Sequence, residues 1–326
     1  MKRLLTLGIA AFIIGFATLA PSTISYAQQN NGGGLEISPA LVELNAVKGN
    51  DYTVNITVTN VTENELLFDS FVNDFGSKDE TGTPNVILDN TVTPTSIKNW
   101  VSDIPDFKLQ PREKKKLSVS ITVPSNASPG GHYGVIRFSG RNPNTTSSNV
   151  DLTASAGTLV LIKVDGEFIE KLDLKTFESQ KNGKQASTFE TGPINFVTRF
   201  ENTGTTHVKP LGQIEVKDFF GNQIANLPVN ESKGSVLPSS IRRFESPLND
   251  QWLFGKYTAT ITIAYGTTGG AIVQSIDFWV IPYKILIVGL VGLITLIYIL
   301  RSLIKRYNSY IRRTAPHASK KKHQKK

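Results

Sequence analysis

The chain has 326 residues, 35 Lys and Arg against 27 Asp and Glu, and no cysteine. The absence of cysteine excludes disulfides, thiolate metal sites and a lipid-modified cysteine. The net charge of +8 belongs to the two ends: twelve basic residues are Lys2, Arg3 and the ten from Arg301 onward, leaving 23 basic against 27 acidic between them. The mildly acidic middle gives no reason to expect a nucleic-acid partner.

Residues 1–27 have a basic start, an apolar centre from Leu4 to Ala20, and Ser25-Tyr26-Ala27, with small residues at the two positions a signal peptidase reads. This predicts a signal peptide cleaved after Ala27; the alternative is an uncleaved N-terminal anchor. The polar, glycine-rich 28–34 segment (QQNNGGG) reads as a flexible tether.

From Leu35 the hydrophobic period becomes two. Val54, Ile56 and Val58 alternate with Asn55, Thr57 and Thr59, and Leu117, Val119, Ile121 and Val123 alternate with Ser118, Ser120 and Thr122. Such alternation places apolar side chains on one face of a half-buried strand. Further strand-like runs follow at 159–164, 194–200, 213–216, 257–265 and 275–280, separated by Gly- and Asn-rich turn signals such as Lys48-Gly49-Asn50, Asn182-Gly183 and Gly221-Asn222. Short strands with no helical period between them predict an all-β ectodomain of antiparallel sandwiches.

The same unit reads twice. Thr53 to Thr62 (TVNITVTNVT) matches Ile194 to Gly204 (INFVTRFENTG), each ending an alternating strand in Asn, at Asn60 and Asn202. A Leu and Pro open a return strand in both, and Gly131-His132-Tyr133 aligns with Gly255-Lys256-Tyr257 at the start of a late strand. The expectation is two tandem immunoglobulin-like sandwiches, 35–165 and 166–280, with 141–149 (RNPNTTSSN) a surface loop of the first.

Residues 285–300 (ILIVGLVGLITLIYIL) hold no charge and, with 279–283 in front, approach the roughly 20 residues that cross a bilayer as a helix. Trp279, Tyr283 and Lys284 on one side and Arg301, Lys305 and Arg306 on the other sit where interface anchors settle. The reading is a transmembrane helix at 281–304, and a basic tail at 305–326. By the positive-inside rule the tail is cytoplasmic and the preceding domains lie outside the cell membrane, with the helix and tail in contact with membrane lipid.

No catalytic constellation is legible. His132 and His207 stand alone, and no nucleophile-and-base or His-Glu motif is present, so no enzyme activity, metal or cofactor is expected. Asp69, Asp74, Asp79 and Glu80 form an acidic patch with oxygen ligands of the kind Ca²⁺ takes, but at spacings that match no calcium loop. Binding is the better supported class. Trp100 and Phe107, with His132 and Tyr133 beside the glycines, are candidates to stack on a sugar ring, as are Trp252 and Phe254. The competing reading places both tryptophans in the space between sheets. A further mode, addition of a partner strand to an open sheet edge, leaves little trace in side chains.

The order of signal peptide, two sandwiches, membrane helix and basic tail resembles the WxL-interacting proteins of Gram-positive cell surfaces. In the first unit the likeness rests on Leu35-Glu36-Ile37-Ser38-Pro39, Lys48-Gly49, Val58-Thr59-Asn60, Leu109-x-Pro111 and Pro129-Gly130-Gly131 leading to Gly134-Val135-Ile136. In the second it rests on Phe200-Glu201-Asn202, Leu237-Pro238 and Gly255-x-Tyr257. Gly134-Val135 departs from the paired glycine usual in that strand, and 69–82 diverges. The resemblance implies a peptidoglycan-binding domain followed by a host-binding domain, hence a bacterial surface adaptor contacting cell-wall glycan or surface proteins. A chaperone-like component of surface assembly that works by strand addition is the alternative.

Overall fold

The computed structural model describes residues 34–89, 92–143 and 154–314. The expected signal peptide, most of the tether, most of the 141–149 loop and the last part of the basic tail lie outside the described residues. The chain forms β1 (Leu35–Ser38), β2 (Leu41–Ala46), β3 (Asp51–Asn60), β4 (Leu66–Ser77), β5 (Pro84–Ile87), β6 (Phe107–Leu109), β7 (Lys114–Thr122), β8 (Gly130–Arg141) and β9 (Ala154–Val164). It continues with β10 (Leu172–Lys181), β11 (Lys184–Gln185), β12 (Thr188–Phe189), β13 (Ile194–Asn202), β14 (Leu211–Asp218), β15 (Gln223–Val229), β16 (Ile241–Leu248), β17 (Gly255–Tyr265) and β18 (Gly270–Val280). One helix, α1 (Tyr283–Thr314), follows.

The alternating residues behave as the period demands. In β3, Val54, Ile56 and Val58 are buried while Thr53 and Asn55 face water, and β7 pairs with it in register, Val54 opposite Val119 and Ile56 opposite Leu117. Matched pleats put both apolar rows on one face. That face closes on the larger sheet through Phe68, Ile136, Phe138, Val160 and Ile162, giving a first hydrophobic cluster of residues 35–164. A second, separate cluster holds Phe196, Phe200, Ile214, Ile261 and Phe278 and runs from Leu172 to Val280.

The two sheet pairs share one strand order. The first pairs β1-β3-β7 with β2-β9-β8-β4-β5; the second pairs β10-β13-β16, edged by β11, with β12-β18-β17-β14-β15. Most neighbours are antiparallel, but β2 runs parallel to β9 and β12 parallel to β18. In the first pair the cause is local: Pro39 has no N–H to give a ladder, so the chain leaves β3 after Ser38 and crosses to the opposite sheet as β2.

Register corrects the alignment of the repeat by one residue. Gly130 faces Val164 and Gly255 faces Val280, both glycines at positive φ, so Gly130 rather than Gly131 is the counterpart of Gly255. His132 therefore takes the inward place of Tyr257, and Tyr133 points to the other face of its sheet, since a one-residue slip exchanges faces.

The helix also differs from the expected 281–304. Trp279 and Val280 are the last residues of β18, with Trp279 opposite Lys256, and the helix starts at Tyr283 behind Pro282, which is suited to a first turn because its missing N–H is not needed there. Helix-favouring Leu, Lys and Arg then carry it ten residues past 304 to Thr314. It is long and apolar enough to cross a membrane, and among the described residues its apolar window is buried against no other part of the chain.

Candidate binding cleft at the junction of the two sheet pairs

The outward face of β8 and β9 meets the loops of the second sheet pair. Tyr133, Val135, Leu161 and Phe75 form a third cluster, joined by Leu237 from beyond the junction. The glycines of Pro129-Gly130-Gly131 admit the partner loop: Gly131 N–H donates to Thr205 O at 3.0 Å, and a Cβ on Gly131 would overlap the Tyr133 hydroxyl and crowd the Thr206 backbone. Asn202 shapes that loop from below. Its side chain is fully buried, Nδ2 donates to Thr206 O and Val236 O at 2.8 Å each, and Oδ1 accepts from Gly204 N–H at 2.9 Å. Asn60, its counterpart in the first pair, bonds the carbonyls of Asn64, Leu109 and Gln110 in the same way.

Charged contacts pin the junction at three further points. Glu80, at the tip between β4 and β5, accepts from Arg199 Nε at 2.7 Å and from Nη2, and its carbonyl accepts Arg243 N–H at 2.7 Å. The Arg199 hydrogen bond, foremost, holds the Glu80 carboxyl below its ordinary range. Glu43 of β2 pairs with Lys209, and Lys163 of β9 pairs with Glu170 at 2.7 Å. His207 lies among these groups, buried, with its ring 5.7 Å from Tyr133. Burial pushes its pKa down to about 4, against the opposing pull of Glu43.

Beside this junction a cleft of about 310 Å³ is lined by Leu41, Phe75, Leu159, Leu161, Leu237 and Arg242. The leucines and Phe75 make its wall mostly apolar, interrupted by Ser77, Thr83, Ser235 and Ser240 and by Arg242, whose Nη1 donates to Ser235 O at 2.8 Å while its buried Nε has no hydrogen-bond partner. Burial draws the Arg242 pKa down, and among the described residues no carboxylate lies within salt-bridge distance of it. Leu41 opens β2, an edge strand with β9 on one side and, among the described residues, no strand on the other. A concave, mostly apolar wall, one cation that rests over the Phe244 ring with no carboxylate partner, and an adjacent strand edge suit an extended polypeptide carrying an acidic group.

The residues singled out in the sequence sit elsewhere. Trp100 is buried with its ring 4.4 Å from His132, and Phe107 is buried and stacked on Phe68 at 5.4 Å. His132 Nε2 is 2.9 Å from Ser128 O, and burial lowers its pKa. Tyr133 is buried in the junction, where burial pushes its phenol pKa up. Phe107 packs against Phe68 and Tyr133 packs in the junction, while Trp100 and His132, largely buried, border a separate pocket with Asn99 and Asn126, so the four do not form one exposed stacking surface. Trp252 departs from the core reading, at 84% exposed, because Leu253 takes the inward place in its loop. Asp69 pairs with Arg141, Asp74 accepts from Ser96 and Thr93, Asp79 from Thr81, and Glu80 from Arg199, so the acidic patch is spread among separate partners. Trp279, Tyr283 and Lys284 lie at the start of α1, Lys284 pairing with Glu190 at 2.8 Å, while Arg301, Lys305 and Arg306 lie on its later turns.

Sequence reasoning missed Arg242, Leu41 and the Glu80–Arg199 bond, which carry no motif. One signal was present: the unbroken apolar run Leu159 to Ile162 in β9 marks a strand buried on both faces.

No family model and no curated protein matches the chain. Among solved structures, the class 5 fimbrial chaperone CfaA is 12% identical over 74% of this chain and 98% of its own, with a TM-score of 0.39. The E. coli chaperone DraB is 15% identical over 76% of this chain and 97% of its own, at 0.34. A Salmonella enterica SafA pilin complex with the SafB chaperone gives 13%, 76%, 97% and 0.34. Likeness this distant carries no argument about fold or function, which rest on the residues of this chain.

Proposed function

We propose that the chain is a membrane-anchored bacterial surface protein that binds an extended segment of another surface protein in the cleft between two tandem immunoglobulin-like sandwiches. The observation that carries this reading is the pairing of a mostly apolar wall with the half-buried Arg242, which has no carboxylate partner among the described residues, beside the edge of β2. Main-chain hydrogen bonds along the edge supply affinity that depends little on sequence, and Leu41, Leu159 and Leu237 supply pockets for alternate side chains. Arg242 takes a carboxylate, from a side chain or a chain end. The adaptor and the assembly-component readings both use this cleft and differ in whether the bound segment comes from a folded or an unfolded partner.

In this reading α1 holds the sandwiches outside the cell membrane, with the basic tail in the cytoplasm, as the resemblance to WxL-interacting proteins also implies. A protein partner is favoured over cell-wall glycan because the first sheet pair keeps its aromatic candidates buried.

The test is co-purification of the full-length chain with surface proteins from its own cells. A partner retained by the wild type and by Phe219→Ser, and lost with both Leu41→Asp and Arg242→Gln, supports the cleft. Equal recovery by all four chains sinks it. The adaptor form predicts recovery of the partner folded, and the assembly form predicts its recovery only as a nascent or unfolded chain.

A further inference from the structure

Strand register gathers four segments at one end of the second sheet pair. β14 ends at Asp218 opposite Tyr257, and Tyr257 lies opposite Phe278 near the end of β18. The β14–β15 turn at 219–222, the 249–254 loop before β17 and the last residues of β18 therefore share that end. Ile194 opposite Leu248 brings the 190–193 loop there too. The opposite end carries the junction with the first pair, through Thr205 and Lys209.

From the gathered end α1 departs after only two residues, Ile281 and Pro282. Ile281 N–H donates to Phe189 O at 2.8 Å, and Lys284 pairs with Glu190, so the connector is tied to the sheet rather than loose. The uncharged 285–300 stretch spans ~24 Å as a helix, short of the roughly 30 Å hydrocarbon layer. A short span is met by drawing its flanking residues towards the bilayer.

The same end holds exposed aromatic rings: Phe219 at 75%, Phe220 at 84%, Trp252 at 84%, Phe254 at 67% and Trp279 at 45%. Among the described residues before α1, Phe71 is the one other large aromatic left exposed, and it lies under the Arg137 guanidinium. Phe254 directly precedes Gly255, the partner of Val280, and the loop that carries Trp252 is tied to the 190–193 loop by Gly192 N–H, which donates to Gln251 O at 3.3 Å. The same end carries the charged groups Asp218, Asp250, Glu190 and Lys284, polar atoms of the kind a headgroup layer accommodates.

We propose that this end of the second sheet pair rests on the bilayer surface, with Phe219, Phe220, Trp252 and Phe254 seated at the boundary between headgroups and acyl chains. The inference rests on the reading that α1 crosses the membrane. It makes the ectodomain a platform of fixed orientation, with the cleft held away from the membrane, rather than a body swinging on a tether.

The absence of cysteine permits a direct test with the full chain in phosphatidylcholine vesicles. Spin labels are attached singly through Phe220→Cys, Trp252→Cys, Val47→Cys and Tyr298→Cys, all at exposed positions. Their collision rates are measured with oxygen, which concentrates in lipid, and with a water-soluble nickel complex. The expected result is a several-fold higher ratio of oxygen to nickel collisions at positions 220 and 252 than at position 47. Ratios at 220 and 252 equal to that at 47 overturn the proposal, as does shielding from both reagents, which would mean that protein covers the rings. The label at 298 separates the two claims. If it is lipid-exposed while 220 and 252 are aqueous, the inference alone fails; if it is aqueous, the anchored reading fails and takes the inference with it.

Discussion

Asn202→Ala tests how the junction is held. The side chain is fully buried and makes three hydrogen bonds, two donated to Thr206 O and Val236 O and one accepted from Gly204 N–H. Its loss removes the side-chain partners of Thr206 O and Gly204 N–H, while Val236 O keeps the Val208 N–H at 3.1 Å. At about 1 kcal/mol for each bond, with some desolvation cost unrecovered, the loss is about 3 to 5 kcal/mol. That is a large share of the ~5–15 kcal/mol typical of a folded domain. The assay is guanidinium unfolding of the full chain in detergent, with hydrogen exchange read separately in β13 and β3. The prediction is a loss confined to the second sheet pair, together with faster exchange at Gly131 N–H, because the 203–206 loop no longer presents Thr205 O. Asn60→Ala should reverse the pattern, destabilising β3. A cost below about 1 kcal/mol, or equal effects in β13 and β3, would refute the reasoning.

Gly131→Val should separate the sheet pairs by pressing on Tyr133 and Thr206; in a histidine NMR titration the His207 pKa then returns from about 4 towards its ordinary 6.5, and an unmoved value would contradict this. His207 itself predicts a pH dependence. Its folded pKa lies below its unfolded one, so the unfolded state binds the extra proton between pH 6.5 and about 4, and stability is full above that window and falls as pH drops through it. From pH 6.5 to 5 the wild type should lose about 1.5 kcal/mol relative to His207→Gln, and a constant difference argues against a buried neutral ring. Glu80→Lys sets a like charge beside Arg199 and Arg243, so hydrogen exchange and limited proteolysis should rise around 241–244; unchanged protection there would show that Glu80 does not hold the junction.

The strands and the helix were legible because each leaves a periodic mark. Val54, Ile56 and Val58 against Val119 and Ile121 announce a half-buried sheet, and 285–300 announces a helix long and apolar enough to cross a membrane. Asn60 and Asn202 were legible as a repeat, although not as the loop-holding groups they are. The cleft was not legible, since it is made by two distant segments whose approach depends on register. The slip between Gly131 and Gly255 turned Tyr133 to the other face of its sheet, and pattern matching on Gly-x-Tyr has no means of detecting a one-residue offset. Trp252 misled for a related reason: an aromatic in a sandwich is read as core, and only the inward Leu253 beside it shows that the core position is already taken.

The most direct test of the central claim is to place a photo-crosslinking amino acid at Leu41 or Ser235 in the full chain, expressed in its own cells, and to sequence what is captured. Both positions line the cleft. The account predicts capture of one contiguous segment of a single surface protein from both positions, abolished by Arg242→Gln. Capture of unrelated segments, or of the same protein with and without Arg242, would contradict it.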